Sequence, residues 1–145
     1  GRKAEPGVES FAGPDELGAF LARTDILVCL LPLTAATRGI LNARAFAQLP
    51  RGARIVNAAR GGHLVEADLL AALDEGRIGG ATLDVFEREP LPAMSPLWSH
   101  PKVIVTPHIA ALTDARSTAG QMAESMARVR AGGRPLYEVD LRRGY

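Results

Sequence analysis

The chain alternates between short apolar runs and segments with helical spacing, and this alternation constrains its fold more than any other feature. Four apolar runs, at residues 26–31, 54–59, 81–86 and 103–106, have the length and composition of buried strands. Strands that alternate with helices are typical of βαβ units, in which parallel strands share one sheet. The sequence therefore predicts an α/β fold with a parallel sheet.

Helices are expected between and after these strands. Asn42 is a plausible N-cap, and Gly76 and the pair Gly132-Gly133 are plausible C-terminal stops. The last helix carries apolar residues at helical spacing. The first predicted helix begins at Pro14-Asp15. The other three cover residues 42–49, 66–75 and about 114–130.

Composition excludes several classes of protein. At 145 residues the chain is one domain by length, and its 17 basic and 16 acidic residues leave a net charge of +1, with no basic stripe to bind nucleic acid. Cys29 is the only cysteine, which excludes a disulfide framework, and we interpret it as a buried thiol. No apolar run approaches the roughly 20 residues that span a bilayer, and no signal peptide is visible. A cytoplasmic protein without a membrane partner is expected.

One element of a dinucleotide-binding fold is missing from the chain. No Gly-x-Gly-x-x-Gly sequence occurs, and Gly61-Gly62 does not replace it. In a Rossmann-like fold that turn follows the first, central strand of the sheet. If the fold is a Rossmann-like, doubly wound parallel sheet, it is therefore incomplete in this chain, and its first strand and glycine-rich turn would precede Gly1.

Three polar residues follow the predicted strands and could share one cleft. Arg60 follows the second strand, Glu89 the third and His108 the fourth. In an open α/β sheet, ligands bind outside the carboxyl ends of the strands, so we expect these side chains to converge there. A guanidinium can bind a carboxylate, and an imidazole can move a proton near neutral pH. The trio predicts an enzyme site that binds an anion and transfers a proton.

The residues alone leave alternatives open at each position. Arg60 could cap a strand end, and His108 could be a structural histidine. Glu87 and Glu89 could each pair with the imidazole and raise its pKa, and period-two geometry does not choose between them. Asp84, a polar residue within an apolar strand, needs a partner, either a ligand amide or the backbone of the following loop.

The other histidines are interpreted as surface or packing residues. His63 follows Gly62 in a loop, and His100 lies beside Pro101 in a proline-rich segment, so neither stands at a strand end. No combination of His, Cys and acidic residues has the spacing of metal ligands, and no metal site is predicted.

Three segments together resemble the C-terminal signatures of the D-isomer-specific 2-hydroxyacid dehydrogenases. They are Asn-Ala-Ala-Arg-Gly-Gly at 57–62, Leu-Asp-Val-Phe-Glu-Arg-Glu-Pro-Leu at 83–91 and Thr-Pro-His-Ile-Ala at 106–110. Segments 6–11, 66–73 and 95–98 and the terminal Arg-Gly-Tyr are similar to the bacterial glyoxylate/hydroxypyruvate reductases of that family. The resemblance covers essentially the whole chain. It implies an oxidoreductase that reduces glyoxylate or hydroxypyruvate to a 2-hydroxy acid by hydride transfer from NAD(P)H.

The resemblance also implies a role for each member of the trio. Arg60 would clamp the substrate carboxylate and polarise its keto oxygen, and His108 would protonate that oxygen. Glu89, rather than Glu87, would hold His108 protonated, and Asp84 would lie near the nicotinamide carboxamide. Arg60 and His108 would also border the cofactor, together with further positions that match the family's cofactor-lining residues: Arg2, Lys3, Leu31, Pro32, Thr37, Ala58, Ala59 and Ala110.

Arg2 and Lys3 carry the prediction of cofactor choice. After the second strand of a Rossmann domain an acidic residue selects NAD, whereas basic residues accommodate the 2′-phosphate of NADP. The chain has Arg2 and Lys3 at about that point and no acid before Glu5. NADP(H) is therefore favoured over NAD(H), unless the two residues are simply a solvated terminus.

The resemblance further implies what would surround this chain. Family members have an N-terminal substrate domain. Residues 1–111 would then be the C-terminal part of the dinucleotide-binding domain, and residues 112–145 a return helix and tail that pack on the substrate domain. A homodimer is implied for the full-length protein, and the isolated 145-residue chain is expected to be inactive. The rival hypotheses are a non-catalytic NAD(H)-binding regulatory module on the same scaffold and an inactive truncated fragment.

Overall fold

The computed structural model describes residues 6–111 and 113–140. Their contacts divide the chain into two compact units, one ending at His108 and one beginning at Ile109. The first unit contains the whole sheet and the second contains one long helix.

Four parallel strands form the sheet of the first unit, in the order β1-β2-β3-β4. The predicted parallel α/β fold is confirmed. Short 3-10 turns cover Gly61–His63 and Pro96–Trp98. In chain order the elements are α1 (Leu17–Leu21), β1 (Ile26–Cys29), α2 (Ala43–Gln48), β2 (Ala53–Asn57), α3 (Glu66–Asp74), β3 (Ile78–Leu83) and β4 (Val103–Val105).

The strand register brings the carboxyl ends of all four strands to one edge of the sheet. Cys29 pairs with Asn57, Asn57 with Leu83, and Leu83 with Val105. These four residues end their strands, so the loops that follow leave the sheet side by side. Such an edge is where ligands bind in open α/β sheets.

Local signals set the ends of two helices as the sequence predicts. The Asn42 side chain accepts a hydrogen bond from the Ala45 N–H at 3.1 Å and so caps α2. Gly76 has a φ of +63°, the left-handed conformation that ends a helix and that glycine adopts without steric cost. Both predicted boundaries are confirmed.

The core lies on one face of the sheet. Ile55, Ile78 and Leu83 are fully buried there with Leu69 and Leu73 of α3. On the opposite face three apolar side chains are exposed, Ile26 to 60%, Val28 to 50% and Ile104 to 62%, and Val56 is half-buried.

The third strand begins and ends earlier than the apolar pattern predicts. It runs from Ile78 to Leu83, so Asp84 follows the strand instead of lying within it. The pattern missed the start because glycines are poor strand formers. Gly79 is required there, since a Cβ on it would lie 2.4 Å from the Gly52 carbonyl oxygen. The prediction of residues 81–86 as the third strand is therefore wrong at both ends.

The second unit is built on α4 (Ala115–Arg130). The Asp114 carboxylate accepts a hydrogen bond from the Ser117 N–H at 2.8 Å and caps the helix. The chain leaves the helix at Gly132, which has a φ of +78°. Its apolar side chains stay exposed, Met122 to 61% and Met126 to 54%. That this helix packs on a substrate domain stays a prediction.

Among the helices of the described residues, none combines the length with the hydropathy that crossing a bilayer requires.

Candidate active site

Glu89 and His108 form a hydrogen-bonded pair at the carboxyl edge of the sheet. His108 Nδ1 lies 2.8 Å from one carboxylate oxygen of Glu89, and the other oxygen accepts the Phe86 N–H at 3.0 Å. Glu87 instead lies 3.5 Å from the Arg38 guanidinium. The structure thus places Glu89, rather than Glu87, against the imidazole.

The surroundings of Glu89 favour its charged form. The hydrogen bond with His108 lowers the pKa of the Glu89 carboxyl most, followed by the hydrogen bond from the Phe86 N–H. Partial burial opposes this, and the nearby charges of His108 and Arg60 lower the pKa a little further. Glu89 is therefore an acceptor for Nδ1–H, and the proton that the ring could transfer is on Nε2.

The backbone of His108 lies in the left-handed region, with a φ of +56°. A non-glycine residue there costs on the order of 1 kcal/mol or more, and the surrounding structure must enforce it. The conformation and the Glu89 contact together fix the direction of the ring, which stays about half exposed.

The Arg60 side chain is exposed, but the backbone of Arg60 is held by hydrogen bonds. The Arg60 carbonyl oxygen accepts hydrogen bonds from Asn57 Nδ2 at 3.1 Å and from His63 Nδ1 at 3.0 Å. Gly61 packs against the Phe86 backbone so closely that a Cβ would lie 1.8 Å from the Phe86 carbonyl carbon. The loops that carry Arg60, Glu89 and His108 follow β2, β3 and β4, which are neighbours in the sheet, and the Arg60 charge slightly lowers the pKa of the Glu89 carboxyl.

Asp84 lies between these two groups along the sheet edge, directly after β3, and is 95% buried, with a relative exposure of 5%. Thr106, directly after β4, donates its hydroxyl hydrogen to an Asp84 carboxylate oxygen at 2.5 Å. The Asp84 N–H donates to the Asn57 carbonyl at 3.0 Å. The Thr106 hydroxyl is therefore a partner of Asp84 that the sequence pattern did not identify.

A cavity of about 500 Å³ adjoins the Glu89–His108 pair. Its polar side is formed by Asp84, Thr106 and the pair itself. Apolar side chains line the remainder: Phe86, Leu91, Trp98 and Pro107.

The remaining positions that sequence analysis assigned to the cofactor are distributed along the chain. Leu31 and Pro32 are exposed in the loop after β1, which Thr37 braces by donating its hydroxyl to the Pro32 carbonyl at 2.7 Å. Ala58 and Ala59 follow β2, the first half-buried and the second buried. Ala110 belongs to the second unit. Arg2 and Lys3 lie outside the described residues, so their assignment stays a prediction.

Three residues around the site were not singled out from the sequence as site residues: Asn57, His63 and Thr106. His63 was interpreted as a surface or packing residue, and it is fully buried against the Arg60 carbonyl. A signal for it existed, because a side chain three residues after Arg60 in a glycine turn can reach back to its carbonyl. Asn57 and Thr106 are polar residues at strand ends, the same signal that identified Arg60.

The described residues offer no group of three His, Cys, Asp or Glu side chains that could hold a metal ion. Cys29 is buried at the end of β1, and burial raises the pKa of its thiol. Its interpretation as a buried thiol is confirmed.

Comparison with known proteins gives consistent matches over the whole chain. Residues 2–110 match the family described as D-isomer specific 2-hydroxyacid dehydrogenase, NAD binding domain. A D-isomer specific 2-hydroxyacid dehydrogenase from Xanthobacter autotrophicus Py2, crystallised with NADPH and MES, is 51% identical with a TM-score of 0.95. The NADPH-dependent glyoxylate/hydroxypyruvate reductase of Sinorhizobium meliloti, crystallised with NADP and sulfate, is 47% identical with a TM-score of 0.93.

A probable 2-hydroxyacid dehydrogenase from Rhizobium etli CFN 42, crystallised with NADP, HEPES and L(+)-tartaric acid, is 41% identical with a TM-score of 0.91. Each of these three comparisons covers 100% of this chain. The chain spans 60% of the Xanthobacter protein and 47% of each of the other two. It therefore corresponds to about half of these relatives.

Proposed function

Since the chain belongs to the D-isomer specific 2-hydroxyacid dehydrogenase family, we propose that the protein containing it reduces glyoxylate or hydroxypyruvate to the 2-hydroxy acid with NADPH. The observation that carries this proposal is the hydrogen-bonded Glu89–His108 pair at the sheet edge from which the loop carrying Arg60 also leaves. The relative from S. meliloti supports the choice of substrate and reductant, because it is described as an NADPH-dependent glyoxylate/hydroxypyruvate reductase.

His108 would supply the proton of the reaction. Glu89 holds Nδ1, so Nε2 is the ring nitrogen that can reach a substrate oxygen. As the keto carbon accepts a hydride, the proton on Nε2 passes to the keto oxygen, and the product hydroxyl forms. The imidazole is left neutral and stays hydrogen bonded to the Glu89 carboxylate. General acid catalysis of this kind contributes about 10²- to 10⁴-fold to the rate.

Arg60 would bind the substrate carboxylate. Its guanidinium offers a planar fork of N–H donors that fits a carboxylate in a two-point contact. One of these donors, Nη1, contacts the adjacent Ala59 carbonyl at 2.6 Å, and the side chain is exposed. Binding an anion exchanges that local contact for charge-assisted hydrogen bonds. The keto group would then lie between Arg60 and His108.

The residues at the sheet edge fit the nicotinamide end of the proposed cofactor. The buried Asp84 carboxylate can accept from a carboxamide NH₂, and the small side chains of Ala58 and Ala59 let a flat ring approach the backbone. When bound, the reduced nicotinamide supplies the hydride, and the protein supplies orientation and charge. The proposed preference for NADPH further rests on Arg2 and Lys3, which could contact a 2′-phosphate.

The test is an assay of NADPH oxidation by the complete gene product, with glyoxylate and with hydroxypyruvate, for the parent, Arg60→Ala and His108→Gln. We expect turnover in the parent, a raised KM for the keto acid in Arg60→Ala, and a lower kcat in His108→Gln. Parental kinetics in His108→Gln across pH 6 to 8 would show that another group donates the proton. Tight NADPH binding without turnover of either acid would instead favour the regulatory module.

The other predictions about the complete protein also stay proposals. They are its homodimeric state, its cytoplasmic location and the packing of residues 112–145 on a substrate domain. The absence of activity in the isolated 145-residue chain belongs with them, and the same assay on that chain alone tests it.

A further inference from the structure

His63 is the one described residue with a fully buried side-chain nitrogen or oxygen that has no hydrogen-bond partner. Its relative exposure is 0%, and Nε2 is the atom without a partner among the described residues. The other ring nitrogen, Nδ1, lies 3.0 Å from the Arg60 carbonyl oxygen. A buried ring with one free nitrogen calls for an explanation, since buried polar atoms are normally paired.

The Nδ1 contact determines where the ring proton is. A carbonyl oxygen only accepts hydrogen bonds, so Nδ1 must carry the hydrogen, and in the neutral ring Nε2 then holds a lone pair. The Nδ1–H tautomer keeps the contact with Arg60, whereas the Nε2–H tautomer would turn a lone pair towards the carbonyl oxygen. The structure therefore fixes His63 as a donor to Arg60.

Two further N–H groups converge on the same oxygen. The backbone N–H of His63 lies 3.2 Å from it, and Asn57 Nδ2 lies 3.1 Å from it on the β2 side. Asn57 Oδ1 also accepts the Ala59 N–H at 3.2 Å. These contacts close the turn from Asn57 to His63 and leave the Arg60–Gly61 peptide little freedom to rotate.

The Gly61 end of that peptide is also confined. Gly61 packs on the Phe86 backbone, with no room for a Cβ, and Phe86 donates its N–H to Glu89. The Arg60–Gly61 peptide is thus held by hydrogen bonds to its oxygen and by the close contact of Gly61 with Phe86. Holding this peptide restricts the ψ angle of Arg60 and so helps to fix where its side chain leaves the backbone.

We propose that His63 is a positioning residue for Arg60: its Nδ1–H holds the Arg60 carbonyl so that the guanidinium points to the substrate carboxylate. The inference rests on the proposed function, in which Arg60 binds that carboxylate. His63 itself contacts neither substrate nor cofactor. A residue that only filled the core could be replaced by any side chain of similar volume without affecting substrate binding.

Two amide variants separate these roles. The side-chain NH₂ of asparagine can occupy the position of Nδ1, so His63→Asn keeps a donor to the Arg60 carbonyl. Glutamine places its amide farther out, near the position of Nε2, so His63→Gln loses that donor although its side chain is closer in size to histidine. A packing role favours glutamine, and the positioning role favours asparagine.

The experiment measures KM and kcat of the complete gene product with glyoxylate and NADPH, and its thermal unfolding, for both variants and for Arg60→Ala. We expect His63→Gln to raise the KM for glyoxylate about tenfold, the equivalent of one lost hydrogen bond, with the KM for NADPH within about twofold of the parent. We expect His63→Asn to keep the KM for glyoxylate within about threefold.

Equal KM values for glyoxylate in both His63 variants and the parent, with a raised KM in Arg60→Ala, would overturn the role of His63 and leave the proposed function intact. An unchanged KM in Arg60→Ala would overturn the proposed function itself. If neither His63 variant folds, ¹⁵N NMR of the histidine-labelled parent decides: a proton on Nδ1 of His63 supports the inference, and a neutral ring with its proton on Nε2 overturns it.

Discussion

The two halves of the candidate site are held in different ways. The Arg60 half is fixed through its backbone, by the fully buried side chains of Asn57 and His63 and by the contact of Gly61 with Phe86. The Glu89–His108 half is fixed through its side chains, which are 37% and 50% exposed and joined by one hydrogen bond.

This difference matches what each half would do. A residue that binds an anion needs a fixed backbone position and a side chain that can adjust to the ligand. A buried turn with an exposed guanidinium provides both. A group that transfers a proton needs a defined tautomer and access to the substrate, and a carboxylate on one ring nitrogen provides these. Substitutions in the turn that holds Arg60 should therefore lower the free energy of unfolding. Substitutions in the Glu89–His108 pair should mainly lower kcat.

The largest effect is expected from Gly61→Ala. The new Cβ would lie 1.8 Å from the Phe86 carbonyl carbon and 1.9 Å from its oxygen, so one of the two loops must move. We expect a loss of more than about 3 kcal/mol in the free energy of unfolding, or no folded protein. Denaturant unfolding measures it.

Gly120→Ala is the matched control, because a Cβ on Gly120 in α4 meets nothing within 4 Å. It should stabilise the protein by about 0.5–1 kcal/mol, since alanine is the better helix former. Similar stability of the two variants would contradict the close contact of Gly61 with Phe86.

The next effect concerns turnover rather than stability. His108→Gln removes the proton that Nε2 would donate and should lower kcat about 10²- to 10⁴-fold, or about 3–5 kcal/mol in barrier height. The free energy of unfolding should change by less than about 1 kcal/mol, because the side chain is half exposed. Steady-state kinetics and unfolding of the same preparation test both. A large loss of stability with parental kcat would show that His108 serves stability and not proton transfer.

Asn57→Ala should be costly for stability although the residue has no part in proton transfer. It removes the donor to the Arg60 carbonyl and the acceptor of the Ala59 N–H, both in the buried turn. We expect a loss of about 1–3 kcal/mol, because the Ala59 N–H loses its acceptor and the Arg60 carbonyl oxygen keeps only the two donors of His63. The KM for the keto acid should rise with it.

Asn42→Ala is the control, since Asn42 also makes two backbone hydrogen bonds, to Ala45 N–H and Gly39 carbonyl, but at the start of α2. Its loss should be about 1 kcal/mol, with the KM unchanged. Equal KM values in the two variants would show that the turn does not control Arg60.

The smallest effect is the acid sensitivity of the Glu89–His108 pair. The native pKa of Glu89 is below its ordinary value of 4.5, so the unfolded state binds protons first as the pH falls. The contribution of the pair is therefore complete above about pH 4.5 and is lost on acidification through the native pKa. Because both side chains are partly exposed, the contribution should be below about 1 kcal/mol.

Comparison of urea unfolding of the parent and Glu89→Gln between pH 3 and 6 measures this contribution. The parent should be the more stable protein at pH 6, and the two should converge towards pH 3. A difference that grows as the pH falls would contradict the lowered pKa.

The sequence predicted the sheet and most helix ends because these depend on local signals. Continuous apolar runs located the strands, and Asn42 and Gly76 marked helix ends. The start of β3 was missed, since the need for Gly79 arises from its close approach to Gly52, a contact between distant segments. Long-range contacts of this kind leave no local pattern.

The sequence predicted only part of the site, because some of its contacts also join distant segments. Strand ends located Arg60 and His108, but spacing alone could not choose between Glu87 and Glu89. The structure distinguishes them through the Phe86 N–H, which holds Glu89 against His108. The role of the Asn57–His63 turn depends on a backbone carbonyl, and side-chain identity alone does not reveal where a carbonyl points.

In the proposed reaction Arg60 binds the anion and His108 donates the proton. Oxamate, a 2-keto acid analogue that carries a carboxylate but is not reduced, separates the two, and its binding to the NADPH complex of the complete gene product can be measured by nicotinamide fluorescence. We expect Arg60→Ala to weaken oxamate binding about 100-fold, because a charge-assisted contact is lost, and His108→Gln to change it less than about fivefold. Parental oxamate affinity in Arg60→Ala would show that Arg60 does not bind the substrate carboxylate.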